Sequence, residues 1–146
     1  MTQTPDAPPA KLSAREEEML RLALAAREKA YAPYSDYRVG ACLEDGDGRL
    51  YLGCNVENAS YPEGACAETG AVSAMVAAGG RRVRSLLLVA GGERLCTPCG
   101  GCRQRLAEFA DPETPIAVCG PEGLRARFTM DELLPQSFGL PEGVSE

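Results

Sequence analysis

The sequence predicts an α/β fold, a mixed five-stranded sheet flanked by helices. Three observations carry that expectation. Segments of helical and strand periodicity succeed one another in the order α-β-β-α-β-α-β-β-α. The run Leu86-Leu87-Leu88-Val89 is wholly apolar and short enough for a central strand. The 146 residues are 45% hydrophobic and 25% charged, the balance of one globular unit able to bury a core without staples.

Each element has a local reason. Residues 1–12 are Pro-rich and polar and read as a disordered tail. Ser13 then offers an N-cap, with Glu16 three residues on as its capping-box partner. Met19, Leu20, Ala23, Leu24, Ala26 and Ala30 continue as an apolar stripe, so a helix is expected over about 14–30 until Pro33 ends it. Tyr37, Val39, Ala41 and Leu43 alternate with Arg38, Gly40, Cys42 and Glu44, the pattern of a strand. Asp45-Gly46-Asp47-Gly48 turns the chain into a second strand over 50–55.

The small residues from Cys66 to Ala78 suit a helix, which Gly79-Gly80 closes. A strand is expected over 85–90. Thr97 and Pro98 then open a helix that runs to about Ala110, with Thr97 as its cap. Strands over 116–119 and 124–128 flank the turn at Pro121-Glu122-Gly123. Thr129, with Glu132 as box partner, caps a last short helix, and 139–146 form a C-terminal tail. There is no internal repeat and no linker, so residues 13–138 are expected to form one domain.

Composition narrows the function. A net charge of −6, with one short basic cluster at Arg81-Arg82-Val83-Arg84, leaves no electrostatic footprint for nucleic acid. No run of 18 apolar residues is present to span a membrane. The first residues have neither the charged nor the apolar region of a signal peptide, so a cytoplasmic protein is expected. Histidine is absent, which removes Ser-His and Cys-His nucleophile pairs and the commonest metal ligand. Cysteine numbers seven, an odd count that speaks for thiols in a reducing compartment.

Three of those thiols form a pattern. Cys99-Gly100-Gly101-Cys102 places two sulfurs at i and i+3 near a helix start, where the dipole favours thiolate. Such a pair is half of a zinc site, or a redox pair. Cys66 opens the other half, and Glu68 follows two residues later, near enough to exchange protons with metal-bound water without being a ligand. Three protein ligands with one open position is the catalytic form of a zinc site. The order C-A-E…P-C-G-G-C is an all-cysteine version of the H-x-E…P-C-x-x-C signature of zinc deaminases. Cys96 also stands three residues from Cys99, as a rival ligand or redox partner. Cys42, Cys54 and Cys119 read as small buried hydrophobes.

In these residues the chain resembles the small homotetrameric cytidine deaminases over roughly 14–138. The resemblance rests on Tyr31-Ala32-Pro33-Tyr34-Ser35, Val39-Gly40-Ala41 and Gly53-Cys54-Asn55-Val56-Glu57-Asn58-Ala59-Ser60-Tyr61. It continues through Cys66-Ala67-Glu68, Pro98-Cys99-Gly100-Gly101-Cys102-Arg103-Gln104 and Glu132-Leu133-Leu134-Pro135 with Phe138. It implies a three-layer deaminase fold, one Zn²⁺ per chain on Cys66, Cys99 and Cys102, and Glu68 as proton shuttle. The substrate implied is a free nucleoside, cytidine or 2′-deoxycytidine, in pyrimidine salvage. The backbone of Ala67 would face the base, the Thr97 carbonyl the leaving amine, and Tyr37, at a position usually Phe, the pocket wall. Asn55 and Glu57 would hold the ribose 3′-hydroxyl. Tyr61 and Phe138 would reach in from neighbouring subunits.

One position departs from the family pattern. Thr69 stands where the family usually has Arg after C-A-E. Three thiolates on Zn²⁺ leave a net negative centre, and an arginine would offset it. Thr69 brings a hydroxyl without charge, so a less acidic catalytic water is expected than in relatives with Arg. The helix N-termini at Cys66 and Cys99, and Arg103, are the candidates to compensate. Two other readings stand beside this one. The first is a deaminase of another small cytosine compound, such as a blasticidin-type nucleoside. The second is a non-catalytic relative whose zinc only staples the fold, with Cys96 as fourth ligand.

Overall fold

A computed structural model describes residues 11–140; of the two expected tails, residues 1–10 and 141–146 lie outside the described residues. The Ser13 hydroxyl accepts from the Glu16 N–H while the Glu16 carboxylate accepts from the Ser13 N–H, so the expected capping box starts α1 (Ala14–Glu28). The Glu16 carboxylate also receives Arg127 from the far side of the chain, which holds its pKa below the ordinary carboxyl range. One residue thus caps a helix and ties it to the last strand.

The remaining elements are β1 (Val39–Asp45), β2 (Leu50–Cys54), α2 (Ala67–Ala77), β3 (Val83–Ala90), α3 (Gly100–Ala107), β4 (Pro115–Gly120), β5 (Gly123–Thr129) and α4 (Met130–Leu133), with a 3-10 turn at Tyr61–Glu63. The order is the one the sequence predicts. The sheet runs β2-β1-β3-β4-β5, with β3–β4 parallel across the α3 connection and every other pair antiparallel. The apolar run Leu86–Val89 lies in the central strand, as expected.

Two differences have physical causes. The alternation along β1 suggests one wet face, yet all seven of its residues are buried. Helices cover both faces of the sheet there, and the residues aimed at α1 are the small Gly40 and Cys42 rather than polar ones. Glu44 is buried at the strand end only because Arg15 and Arg84 pair with it. The second difference is the cap of α3. Thr97 does not cap it. Cys99 occupies the N-cap and the helix starts at Gly100 and stops at Ala107, while the Thr97 hydroxyl accepts from Arg103.

Side chains alternate between two cores. Met19, Ala23, Cys42, Leu87, Val89 and Ala117 fill the layer under α1. Ala41, Leu43, Ala71, Met75, Leu86, Leu88 and Leu106 fill the layer under α2, α3 and α4. The result is three layers. Burial raises the thiol of Cys42 to about 12 and that of Cys119 to about 11, so both behave as apolar groups, whereas Cys54 is only half-buried. The basic run is spent on structure: Arg82 pairs with Asp111 at 2.5 Å, Arg84 with Glu44 at 3.3 Å, and Arg81 donates to the Val76 and Gly80 carbonyls.

Glycine sets how closely the helices approach. A Cβ on Gly53 would lie 2.0 Å from the Ala67 carbonyl oxygen and 2.6 Å from the Ala71 nitrogen, both backbone atoms of α2. A Cβ on Gly40 would lie 2.0 Å from the Ala23 carbonyl oxygen of α1. Backbone touches backbone at both points. Gly53→Ala is therefore expected to cost about 1–3 kcal/mol by overpacking. Gly46→Ala, whose added carbon meets only the Arg82 side chain at 3.6 Å, should be near neutral. Thermal unfolding of the two variants side by side measures the difference.

Candidate active site

Two helices begin at the same place. Cys66 is the N-cap of α2 and Cys99 the N-cap of α3, both with extended backbone, and neither side chain caps its own helix. Their sulfurs are left free to face each other at 3.6 Å. Cys102, in the first turn of α3, completes a group in which all three sulfurs lie within 4.8 Å of one another. Tetrahedral zinc with Zn–S bonds of about 2.3 Å needs sulfurs about 3.8 Å apart. The spacing and the soft donor set fit Zn²⁺. Cys96 stands outside the group, its thiol interacting with the Tyr37 side chain instead. The cluster therefore offers three ligands, not four.

The electrostatics suit thiolate. Both helix N-termini direct partial positive charge at the sulfurs. The neighbouring Cys102 holds the Cys66 thiol below its usual range, while Cys66 and burial push that of Cys102 up. The Thr69 hydroxyl lies 3.7 Å from the Cys102 sulfur and so touches the cluster from the position where the family carries arginine. Arg103 does not compensate: its guanidinium donates to the carbonyls of Pro98 and Leu133 and to the Thr97 hydroxyl, all away from the sulfurs. It pins the loop before α3 to the end of α4.

Glu68 is 4% exposed, and its carboxylate lies 3.7 Å from the Cys102 sulfur. Burial raises its pKa. A cavity of about 270 Å³ is lined by Cys66, Ala67, Glu68 and Cys99, by Ser35, Val39, Asn55 and Glu57, and by Tyr37, Cys96 and Thr97. Asn55 is clamped: its Oδ1 accepts from the Val39 N–H at 2.8 Å and its Nδ2 donates to the Tyr37 carbonyl at 2.8 Å. Glu57 accepts from the Ser35 hydroxyl at 2.5 Å and from the Tyr34 and Ser35 N–H groups, which keeps its carboxyl ionised below the usual range.

The expected site residues line this one pocket except for three: Cys102, which is buried within the thiol group, and two aromatics. Tyr61 is 78% exposed, with its ring 6.1 Å from that of Tyr34, and Phe138 is 74% exposed beyond α4, bound through its backbone to Gln104. Tyr31 and Tyr34 are exposed as well. Sequence reasoning missed the part Ser35 plays in holding Glu57, although the residue sits in the Tyr31–Ser35 motif. It also missed the contact of Cys96 with Tyr37.

Residues 13–118 match the model of the cytidine and deoxycytidylate deaminase zinc-binding region. The chain belongs to the cytidine deaminase family. A cytidine deaminase of Sporosarcina psychrophila is 40% identical over 122 residues, 84% of this chain and 90% of that protein. The crystal structure of the cytidine deaminase from Burkholderia pseudomallei superposes with a TM-score of 0.79 at 38% identity, covering 87% of this chain and all of the other. That from Mycobacterium tuberculosis gives 0.74 at 39% identity, covering 88% of this chain and all of the other. The fold is that of the cytidine deaminases, and the site is a zinc site.

The Thr69 hydroxyl is placed to donate to the Cys102 sulfur when that sulfur is ionised. Thr69→Val, which keeps the shape and removes the donor, is expected to weaken zinc binding by about ten-fold, the low end for loss of a hydrogen bond to a ligand. Thr69→Ser should retain it. Competition with a chromogenic chelator measures both.

Proposed function

We propose that this chain catalyses the hydrolytic, zinc-dependent deamination of cytidine and 2′-deoxycytidine to uridine and 2′-deoxyuridine, with release of ammonia. One observation carries the reading: a buried carboxyl beside a three-thiol cluster, at the floor of a pocket whose side wall presents an anchored amide and an ionised carboxylate. When bound, zinc supplies a water acidic enough to act as nucleophile near neutral pH.

The chain does the rest. Glu68 takes up the water proton and passes protons to N3 of the cytosine and then to the exocyclic amine, which leaves as ammonia. The overall balance is cytidine and water giving uridine and ammonia. The Ala67 backbone faces the base, and the Thr97 carbonyl accepts from the departing amine. Asn55 and Glu57 hold the ribose 3′-hydroxyl, the amide oriented by Val39 and Tyr37 and the carboxylate by Ser35. Tyr37 closes the wall. A ribosyl site of this kind favours a nucleoside over other cytosine compounds, and a cluster of three ligands favours catalysis over a structural staple.

The working form we assign is a homotetramer of the unit 13–138, with Tyr61 and Phe138 completing pockets of neighbouring subunits. Their exposure beside otherwise open pockets supports this. A role in pyrimidine salvage in the cytoplasm, without nucleic acid or membrane partners, agrees with the free thiols, the net charge of −6 and the structural use of the basic run. Among the described residues no helix is long and apolar enough to cross a membrane.

Cytidine turnover followed by absorbance, with zinc counted per chain, tests the activity. Glu68→Gln is expected to keep its zinc and lose about 10²–10⁴ in turnover. Near-normal turnover would remove Glu68 from the mechanism. Sedimentation is expected to give a tetramer, and a stable active monomer would undo the shared pockets.

A further inference from the structure

A second cavity lies beside the zinc pocket. It measures about 530 Å³ and is lined by residues 91–97 and Tyr37. Tyr37, Cys96 and Thr97 line both spaces, so these three residues are the wall between them. The Cys96 thiol and the Tyr37 side chain both border the two spaces. Both groups stay protonated, so the wall carries no charge into the pocket. The far side is open at Gly92, which stands at φ 76° with nothing within 4 Å of where a Cβ would be, whereas the Arg27 guanidinium fills the space beside Gly91. Arg125 anchors that loop by donating to the Arg94 carbonyl at 3.2 Å.

The wall has a definite relation to the base. This step rests on the deaminase reading above. With the reacting C4 over the thiol cluster and the sugar-bearing N1 toward Asn55 and Glu57, two edges of the ring join those points. Glu68, which exchanges a proton with N3, takes one edge. The C5–C6 edge is left for the remaining wall. We infer that Cys96, in the wall it shares with Tyr37, is a specificity-determining residue that limits the size of the substituent on C5 of the cytosine. Behind it the space lined by 91–97 is able to receive a larger group. The class of substrate admitted when the wall is lowered is a cytosine nucleoside with an alkyl group at C5.

The sulfur of Cys96 is the smallest part of that wall and the easiest to remove. Deamination of cytidine and of 5-ethylcytidine is compared in the zinc-loaded wild type, in Cys96→Ala, and in Tyr37→Phe, which keeps the ring but removes the hydroxyl. The quantity read is the ratio of kcat/KM for 5-ethylcytidine to that for cytidine. Cys96→Ala is expected to raise it by about ten-fold or more, the effect of one or two carbon atoms in an apolar pocket. Tyr37→Phe is expected to raise it less. General loosening of the fold would lower both substrates alike and leave the ratio unmoved. An unmoved ratio in variants that bind zinc and still deaminate cytidine overturns the inference while leaving the deaminase reading intact. A zinc-loaded wild type that does not act on cytidine overturns both. Should Cys96→Ala not fold, Tyr37→Phe alone decides by the same ratio.

Discussion

Everything at the active site depends on how closely α2 lies against the edge of the sheet. At Gly53 the strand backbone meets the carbonyl of Ala67 and the nitrogen of Ala71 with no room for a methyl group. Ala67 is the first residue of α2, between the Cys66 ligand and Glu68. The contact therefore sets the depth of the Cys66 sulfur and the Glu68 carboxyl in one step. Asn55 follows two residues after Gly53 on the same run of chain. A strand that touches a helix here brings Asn55 and Glu68 to one pocket.

The charge balance of the site is solved differently from the family pattern. Three thiolates need positive partners, and no arginine reaches them in this arrangement. The nearest candidate, Arg103, is committed to two carbonyls and a hydroxyl. What remains is the pair of helix N-termini, which end on Cys66 and Cys99 themselves, and the neutral hydroxyl of Thr69. Dipoles of this kind are fixed by the fold and cost no reorganisation when charge develops. Arg103 contributes indirectly, since its bonds to Pro98 and Leu133 hold the loop that carries Cys99 in place.

How much of this was legible in the sequence follows from what each signal measures. Capping boxes are local, and both were readable to the residue: Ser13 with Glu16, and Thr129 with Glu132. The central strand was readable because an apolar run needs no neighbours to interpret. The α3 start was not, because Thr97 and Cys99 both satisfy local rules, and tertiary contact with Arg103 decides between them. The full burial of β1 was hidden for a similar reason, since a glycine facing a helix looks like a polar position in an alternation pattern. The thiol cluster was legible from spacing alone, yet its exclusion of Cys96 rests on a contact with Tyr37, fifty-nine positions away.

That last contact changes the reading of the cysteines as a set. By spacing, Cys96 and Cys99 form the same C-x-x-C pair as Cys99 and Cys102, and composition cannot rank them. The fold ranks them by geometry. Cys102 lies in the first helical turn, where the i and i+3 side chains meet over the N-terminus of α3. Cys96 lies in the extended loop before it, where its side chain faces a strand-edge tyrosine and loses the helix dipole. Burial then raises the Cys96 thiol pKa, and its proton stays on. Two chemically identical side chains in equivalent sequence spacing thus take different places, Cys102 in the three-sulfur group at a helix start and Cys96 in the pocket wall before it.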